Sequence, residues 1–330
     1  MTTETNERLQ IEPMDPRITD IQPGGGVIIK LEKSWGYVRR RYLKTFHRGY
    51  VARMKQLRKG DKGITMHEVL DPRDLKFYRN QNGYYWDESD DPFTWRDNLP
   101  FVRDGLAELI VFSLFTFGGA ASLTCLSLSL GWTGIVAVFG WLGVTALCVF
   151  GLLVVWFFRN PNRVIPQGDG LVVSPADGKV VVIEEIEHSE FVGGPAVLIG
   201  VFLSIFNVHV NRMPIAARVI GLTYKPGKFL NAMRPESAWE NEQLAIRIEG
   251  NDPPHRRMIV RQISGAIARR IVCRLKPGDE QEQGKPFGMI KLGSRTELVL
   301  PREAGLELKV QIGAKVNAGS SVLAEYKSST

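Results

Sequence analysis

The sequence predicts a β-rich α+β protein. Its C-terminal domain is expected to be sandwich or barrel-sandwich-like, and a two-helix transmembrane hairpin is expected to precede it. Residues 109–158 contain no Asp, Glu, Lys, Arg or His, and this length allows two membrane-spanning helices of about 20 residues each. After residue 158, short apolar runs alternate with Gly, Pro and Asp turns, a pattern typical of sandwiches and partly open barrels.

Four segments follow from this pattern in the 330-residue chain. They are a disordered tail (1–29), a basic amphipathic extension with a connector (30–104), the hairpin (105–158) and the strand-rich domain (159–330). The net charge of +7 predicts contact with an anionic partner. No nucleic-acid-reading motif accompanies this charge, so we expect a membrane rather than nucleic acid. Three scattered cysteines exclude a disulfide framework or a zinc site, and we expect no metal.

The extension is densely basic, with twelve Lys or Arg between residues 30 and 62. Apolar residues recur within it at steps of three and four: Trp35, Val38, Tyr42, Phe46, Tyr50, Met54 and Leu57. This spacing predicts one amphipathic helix. Two interpretations remain open, because the apolar stripe can lie on anionic lipid or pack against the protein's own domain.

The hairpin is expected as helices at 107–130 and 134–157, joined by the turn Gly131-Trp132-Thr133-Gly134. Arg96 and Arg103 precede the first helix, and Arg159 and Arg163 follow the second. The positive-inside rule therefore places both termini in the cytoplasm. We expect the strand-rich domain on the cytoplasmic side of the inner membrane.

The strand-rich domain carries nine predicted strands: 178–186, 196–203, 218–223, 244–248, 258–263, 289–292, 297–300, 306–311 and 322–326. Helical patterns are limited to 227–238 and 265–273. Two stretches, 175–180 and 312–319, resemble the half-motifs of a barrel-sandwich hybrid. Taken alone, they would fit a non-catalytic, membrane-tethered β-barrel adaptor or carrier.

A Gly-Ser step near the C-terminus suggests chemistry. The apolar run 288–292 ends in Gly293-Ser294, and a serine hydroxyl can attack a preceding glycine carbonyl because no Cβ blocks the approach. That rearrangement can convert the serine into a pyruvoyl group, a cofactor made from the chain itself. The other such pair, Gly319-Ser320, is expected in a hairpin-like turn and would release only the eleven residues 320–330.

Four further stretches accompany this step, in chain order: Phe-Phe-Arg-Asn-Pro (157–161), Ser-Pro-Ala-Asp-Gly (174–178), Phe-Asn-Val-His-Val-Asn-Arg-Met-Pro (206–214) and Gln-Ile-Ser-Gly-Ala-Ile-Ala-Arg-Arg-Ile-Val (262–272). With Leu-Gly-Ser-Arg (292–295), they resemble the phosphatidylserine decarboxylases over about residues 157–326. The resemblance implies a carboxy-lyase of phospholipid biosynthesis that converts phosphatidylserine, an anionic phospholipid, into phosphatidylethanolamine. A decarboxylase of another serine-headed lipid is the alternative.

The same resemblance implies a proenzyme that cleaves itself. Ser294 would attack Gly293 and become the pyruvoyl group, whose carbonyl forms a Schiff base with the substrate amine. The products would be a β chain, 1–293, and an α chain, 294–330, which remain partners.

The resemblance also suggests roles for side chains. His209 is the expected base and Asp177 the expected acid, with His209 serving self-cleavage, decarboxylation or both. Asn207 stands where many relatives have Asp, and Arg212 where some have a second histidine. Candidates for substrate contact are Arg269, Arg270 and Asn241.

Overall fold

The computed structural model describes residues 8–61, 76–266, 270–291 and 293–327. The chain forms two compact units: one is Phe93–Pro161, and the other combines Met1–Pro92 with Asn162–Thr330. Of the predicted basic extension and connector, residues up to Pro92 fall in the same unit as the strand-rich domain, and residues from Phe93 onward fall in the other.

The described residues contain fourteen strands, and each pairing between them is antiparallel. They are β1 Leu171–Val173, β2 Gly178–Ser189, β3 Gly194–Leu203, β4 Val210–Arg212, β5 Ala217–Lys225, β6 Gln243–Gly250, β7 Arg257–Ile263, β8 Arg270–Cys273, β9 Glu280–Gln281, β10 Pro286–Lys291, β11 Ser294–Pro301, β12 Leu306–Leu308, β13 Lys315–Val316 and β14 Val322–Tyr326. Each of the nine predicted strands has a counterpart, although the one predicted at 306–311 ends at Leu308 and residue 292 lies outside the described residues. The helix expected at 265–273 is wrong, because Arg270–Cys273 pairs with β10 as a strand. The helix expected at 227–238 is reduced to a single turn, Ser237–Glu240.

Eight strands form the main sheet, in the order β13-β2-β3-β11-β7-β6-β5-β9, which curls into a half-barrel. Two three-stranded sheets, β1-β14-β12 and β4-β10-β8, complete the strand-rich domain. Strands β3 and β11 lie near the middle of the main sheet and are buried on both faces along most of their length. β3 is accordingly a nearly continuous apolar run, whereas the first half of β11 is polar although it is buried. The β-rich α+β class is confirmed, and the finer sandwich arrangement stays a prediction.

The two stretches that resemble half-motifs pair with each other. Lys315 lies opposite Lys179, and Val316 lies opposite Gly178. A side chain at Gly178 would approach the Phe202 carbonyl oxygen to 2.1 Å, so glycine is required there. The pairing joins the start of β2 to the C-terminal strands.

The basic extension forms two helices, α1 Val27–Phe46 and α2 Arg48–Leu57. The prediction of one continuous helix is wrong because the chain leaves helical geometry at His47, with φ −125° and ψ 50°. The break lets α2 bury its part of the stripe. Met54 packs with Trp86, whose indole Nε1 donates a hydrogen bond to the Met54 carbonyl at 2.8 Å.

The part of the stripe on α1 faces outward instead. Its large apolar residues are exposed: Val27, Leu31, Trp35, Val38, Tyr42 and Phe46. The opposite face of α1 buries Ile29 and Leu43. Packing on the protein itself thus holds for α2, whereas α1 presents an uncovered apolar stripe flanked by basic residues.

Residues 8–26 are ordered against the main sheet, contrary to the disordered tail that the composition predicts. The Glu12 amide donates to the Ile220 carbonyl at 2.9 Å, alongside β5. The Arg247 side chain donates to the Glu12 carboxylate, and both Ile18 and Ile21 are buried. Burial of Ile18 and Ile21 helps to offset the entropy lost on ordering the segment.

The second unit contains two long helices, α3 Leu106–Ser129 and α4 Gly134–Phe157, close to the positions predicted. They run antiparallel, since Gly151 lies against Thr116 and Gly143 lies against Leu123. Small residues at such contacts let helices approach closely. Their most apolar stretches have mean hydropathies of 1.9 and 2.4 and are only 17% and 11% buried within the protein.

Candidate active site

The Gly293-Ser294 step lies where the chain enters β11, near the middle of the main sheet. Gly293 has φ 65°, a left-handed conformation that glycine adopts without strain. Ser294 is fully buried, and its Oγ has no hydrogen-bond partner among the described residues. A buried, unpaired hydroxyl costs about 1–3 kcal/mol, so such an atom calls for a functional explanation.

His209 contacts this step directly. Its Nε2 accepts a hydrogen bond from the Gly293 amide at 3.3 Å, and its Nδ1 lies 2.9 Å from the Asn207 carbonyl oxygen. A carbonyl can only accept, so Nδ1 carries the proton and Nε2 presents its lone pair to Gly293. The imidazole is fully buried and is therefore fixed beside the Gly-Ser step as a proton acceptor.

The segment after β7 lies against the carbonyl of Gly293. A Cβ on Gly265 would fall 1.5 Å from the Gly293 oxygen and 2.7 Å from its carbonyl carbon. No side chain fits at this position, so the absence of a Cβ at residue 265 allows the close approach. Gly265 belongs to the motif at 262–272, but the sequence pattern alone does not predict a role for it; the glycine within the motif is the available signal.

Asp177 makes other contacts. Its Oδ2 pairs with Arg163 Nη2 at 2.6 Å, and its Oδ1 accepts the Ala318 amide at 2.7 Å. Burial lowers the pKa of the nearby Arg212, the charge of Arg163 lowers it further, and the charge of Asp177 acts in the opposite direction. The structure thus brings Ser294, Gly293 and His209 together, while Asp177 belongs to an ion pair with Arg163.

A buried amide network connects the Asp177 turn to β11. Asn211 Nδ2 donates to the Pro175 carbonyl at 3.2 Å and to Thr296 Oγ1 at 3.0 Å. Gln262 Nε2 donates to Asn211 Oδ1 at 2.9 Å. The turn that carries Asp177 is therefore positioned relative to the start of β11, although its carboxylate points to other partners.

The remaining candidates have structural contacts. Asn241 is fully buried, and its Nδ2 donates to the carbonyls of Leu230 and Ser264 at 2.9 and 2.8 Å. Arg270 begins β8 and lies beside Gly26 of the N-terminal segment. Arg269 lies outside the described residues. Asn241 thus holds the segment that packs on Gly293.

A cleft of about 520 Å³ lies elsewhere in the unit, lined among others by Gly170, Gly250 and Tyr326. Gly250 ends β6, whereas Gln243 at the other end of the strand lies opposite Ile263, next to the Gly-Ser step. At 3.3 Å per residue, the two ends are about 23 Å apart. The cleft is therefore remote from Ser294.

Comparison with known proteins decides the family. The phosphatidylserine decarboxylase family model matches residues 150–324. The chain is 49% identical over 253 residues to a phosphatidylserine decarboxylase proenzyme of Rhodopirellula baltica, covering 77% of this chain and 99% of that protein. The chain belongs to the phosphatidylserine decarboxylase family. Proteins with the same name from Syntrophus aciditrophicus (41% identity; 60% of this chain, 93% of the relative) and Carboxydothermus hydrogenoformans (44%; 59% and 91%) are also similar.

The family match reaches past the Gly-Ser step and includes the segment around residue 264, where two residues were not singled out by sequence reasoning. Ser264 is fully buried with an unpartnered Oγ, and Glu242 is buried with an unpartnered Oε2. Tyr224 donates its hydroxyl to the other carboxylate oxygen of Glu242 at 2.9 Å. Burial raises the pKa of Glu242, and the Tyr224 hydrogen bond and the Arg270 charge partly oppose this shift.

Among the described residues, no group of three or more His, Cys, Asp or Glu side chains could hold a metal ion.

Proposed function

We propose that the protein is a self-processing, pyruvoyl-dependent enzyme that decarboxylates phosphatidylserine to phosphatidylethanolamine. The main observation behind this proposal is that Ser294 Oγ is buried without a hydrogen-bond partner among the described residues, next to the left-handed Gly293. His209 Nε2 lies 3.3 Å from the Gly293 nitrogen and presents its lone pair to it. Family membership and the proenzyme name of the relatives support this function.

Scission would begin with attack of Ser294 Oγ on the Gly293 carbonyl carbon. An ideal Cβ at Gly293 would meet no atom within 4 Å, so the α-carbon of the step has open space beside it. Collapse of that adduct breaks the peptide bond and leaves an ester. Removal of the Ser294 Cα proton then expels the Gly293 carboxylate, and hydrolysis with loss of ammonia leaves a pyruvoyl group on the α chain, 294–330.

The position of Ser294 fits this cofactor, because its side-chain oxygen is held by no hydrogen bond. A pyruvoyl group at this position would supply an electron-accepting carbonyl for the substrate amine. His209 would act as proton acceptor during processing, since its Nδ1 proton is held by Asn207 and its Nε2 faces the step. Both Ser294 and His209 are fully buried, which keeps their relative positions fixed.

Asp177 is assigned a positioning role. Both of its oxygens are engaged, by Arg163 and by the Ala318 amide, which ties the turn before β2 to the segment before β14. Through Asn211, that turn contacts Thr296 of β11. Asp177 would thus keep β11 in place rather than orient the imidazole by direct contact.

Helices α3 and α4 are proposed to span the inner membrane, with both ends on the cytoplasmic side. Their surfaces are apolar and largely uncovered, and the arginines lie outside the hairpin. The exposed stripe of α1 is proposed to lie on anionic lipid, where the flanking basic residues are attracted to headgroups. Protease added outside intact cells should leave the C-terminal domain undigested, and digestion there would reverse the assigned topology.

Intact mass of the purified protein tests the proposed processing. We expect a fragment of 37 residues, 294 to 330, with a blocked, carbonyl-bearing N-terminus, and carbon dioxide release from phosphatidylserine. Fully active material that still holds the Gly293–Ser294 bond would refute the proposal. Assays with other serine-headed lipids then define the substrate.

A further inference from the structure

Three polar atoms near the Gly-Ser step are buried without a partner among the described residues: Ser294 Oγ, Ser264 Oγ and Glu242 Oε2. The three residues are at most 1% exposed. Buried polar side chains are nearly always hydrogen-bonded, and each unpaired group costs about 1–3 kcal/mol. Three such atoms in one place indicate an arrangement kept for chemistry rather than for stability.

Strand register places these side chains in one row. Arg295 of β11 lies opposite Ile263 of β7, and Gln243 of β6 also lies opposite Ile263. One residue further on, Ser294, Ser264 and Glu242 are opposite one another across the three strands. The Ser264 amide donates to the Glu242 carbonyl at 2.9 Å, so the register continues to this point.

Neighbouring members of the row are within reach of each other. Directly opposed residues in antiparallel strands project from the same face, with Cβ atoms about 4.5–5.5 Å apart. The contact between Gly265 and the Gly293 carbonyl brings the residue after Ser264 against the residue before Ser294. The row therefore ends at the hydroxyl that must lose its proton.

His209 approaches through a different atom. It holds the Gly293 amide, whereas the 264–265 segment lies against the Gly293 carbonyl. Processing removes two protons from Ser294, one from Oγ and one from Cα, and the structure offers two separate groups to accept them.

We propose that Ser264 and Glu242 form a proton relay that deprotonates Ser294 Oγ during self-cleavage. This inference rests on the proposed self-processing function and names a second proton acceptor for it.

The relay balances within one step. Ser294 Oγ passes its proton to Ser264 Oγ, the Ser264 proton passes to the Glu242 carboxylate, and Ser294 Oγ bonds to the Gly293 carbonyl carbon. When the carbon–nitrogen bond breaks, the proton returns along the same row to the Ser294 nitrogen. Glu242 ends as a carboxylate, and no external reactant is needed.

The surroundings of Glu242 suit this task. Tyr224 on β5 and Arg270 on β8 face its carboxylate, and Gly24 of the N-terminal segment covers it. Burial raises the pKa of Glu242 above the ordinary value of 4.5, which makes its carboxylate a stronger base than an exposed one. The relay needs the carboxylate form, so the scission rate should fall as the pH drops through this raised pKa.

The test follows scission in the full-length chain, synthesised in a cell-free system with phospholipid vesicles. The appearance of the α chain is timed by denaturing electrophoresis at several pH values. Ser264→Ala and Glu242→Gln should each slow scission at least tenfold, and the double variant should be no slower than the slower single variant. Ser264→Thr and Glu242→Asp should recover part of the rate.

Matched controls are available in the same unit. Ser237 is fully buried, but its Oγ donates to the Arg234 carbonyl. Glu249 is buried on β6, but it pairs with Arg218. Ser237→Ala and Glu249→Gln should leave the rate and pH profile of scission unchanged. Thermal unfolding of each relay variant, measured in the Ser294→Ala background, should occur at a temperature no lower than that of Ser294→Ala itself, which separates a chemical defect from misfolding.

Hydroxylamine, which splits esters, identifies the blocked step. Relay variants should remain uncleaved in its presence, because they stop before the ester forms. Wild-type scission rates in Ser264→Ala or Glu242→Gln, strictly additive effects, or accumulation of a hydroxylamine-sensitive ester would each overturn the relay. Failure of the wild-type chain to cleave at Ser294 would instead refute the proposed function itself.

Discussion

Two Gly-Ser steps in the same unit show that the dipeptide alone does not make a scission site. Gly293 and Gly319 are both left-handed, with φ 65° and 75°. Ser294 is fully buried at the start of the central strand β11. Ser320 is only half-buried, in the turn before β14. The same local backbone thus occurs in two different environments.

The environments differ in space and in proton acceptors. The open side of Gly293 is free of atoms within 4 Å, and its amide meets the basic Nε2 of His209. Gly319 is packed by Arg212 and Ile165, each 3.0 Å from the position of an ideal Cβ. Arg212 packs on Gly319 through its Cδ, and its guanidinium cannot accept a proton. We therefore expect reactivity at the step with a basic nitrogen beside it, as Gly293 has in His209 Nε2.

The largest expected effect comes from removing one or the other hydroxyl. Ser294→Ala should abolish both scission and decarboxylation, because the attacking oxygen and the cofactor precursor are lost together. Ser320→Ala should leave both at wild-type levels. Intact mass and a carbon dioxide release assay measure the two outcomes. An α chain produced by Ser294→Ala would show that Ser294 is not the scission residue.

His209→Ala is expected to be next in size. A positioned general base contributes about 10²–10⁴-fold, so the scission rate should fall by that range. His255→Ala serves as a control, since its imidazole contacts the Gly250 carbonyl at the far end of β6. A wild-type rate for His209→Ala would remove the imidazole from the site.

Gly265→Ala tests the close approach to the carbonyl. Its Cβ would collide with the Gly293 oxygen, and displacement of reacting groups by about 1 Å can cost about 10²-fold. Gly194→Ala is the matched control, because a Cβ there meets no atom within 4 Å. Pulse–chase electrophoresis compares the two, and equal rates would mean that the segment after β7 moves away before reaction.

Of these variants, Asp177→Asn should change the scission rate least. Its main effect should be to lower the stability of the fold. Removing one partner of a buried ion pair costs about 3–5 kcal/mol, because Arg163 would be left without its carboxylate. We expect a lower unfolding temperature and a slower scission in proportion. Lost scission with unchanged stability would instead give Asp177 a direct chemical role.

The sequence was sufficient where the signal is local. Apolar runs between turns located nine strands, and the absence of charge over 109–158 located α3 and α4. The residues Ser294, Gly293 and His209 come from short motifs, and the structure brings them into contact. Local sequence patterns predict a helix or strand well when its apolar residues follow the spacing of that element.

Other features depend on long-range contacts that no local pattern encodes. Residues 8–26 have a disordered composition but pack on β5. Residues 270–273 read as part of a helix but form a strand because β10 offers a partner. A role for Ser264 and Glu242 can be inferred only from the strand register that places them beside Ser294. That register cannot be known without the order of strands in the sheet.

The place of β11 has a consequence for the cleaved molecule. The proposed α chain begins with this strand, hydrogen-bonded between β3 and β7, and continues with β13 and β14, which pair with β2 and β1. The two pieces are thus interleaved and cannot separate without melting the sheet. Once melted, they would have to find each other by diffusion, so recovery from denaturation should depend on protein concentration in the mature enzyme but not in its uncut precursor.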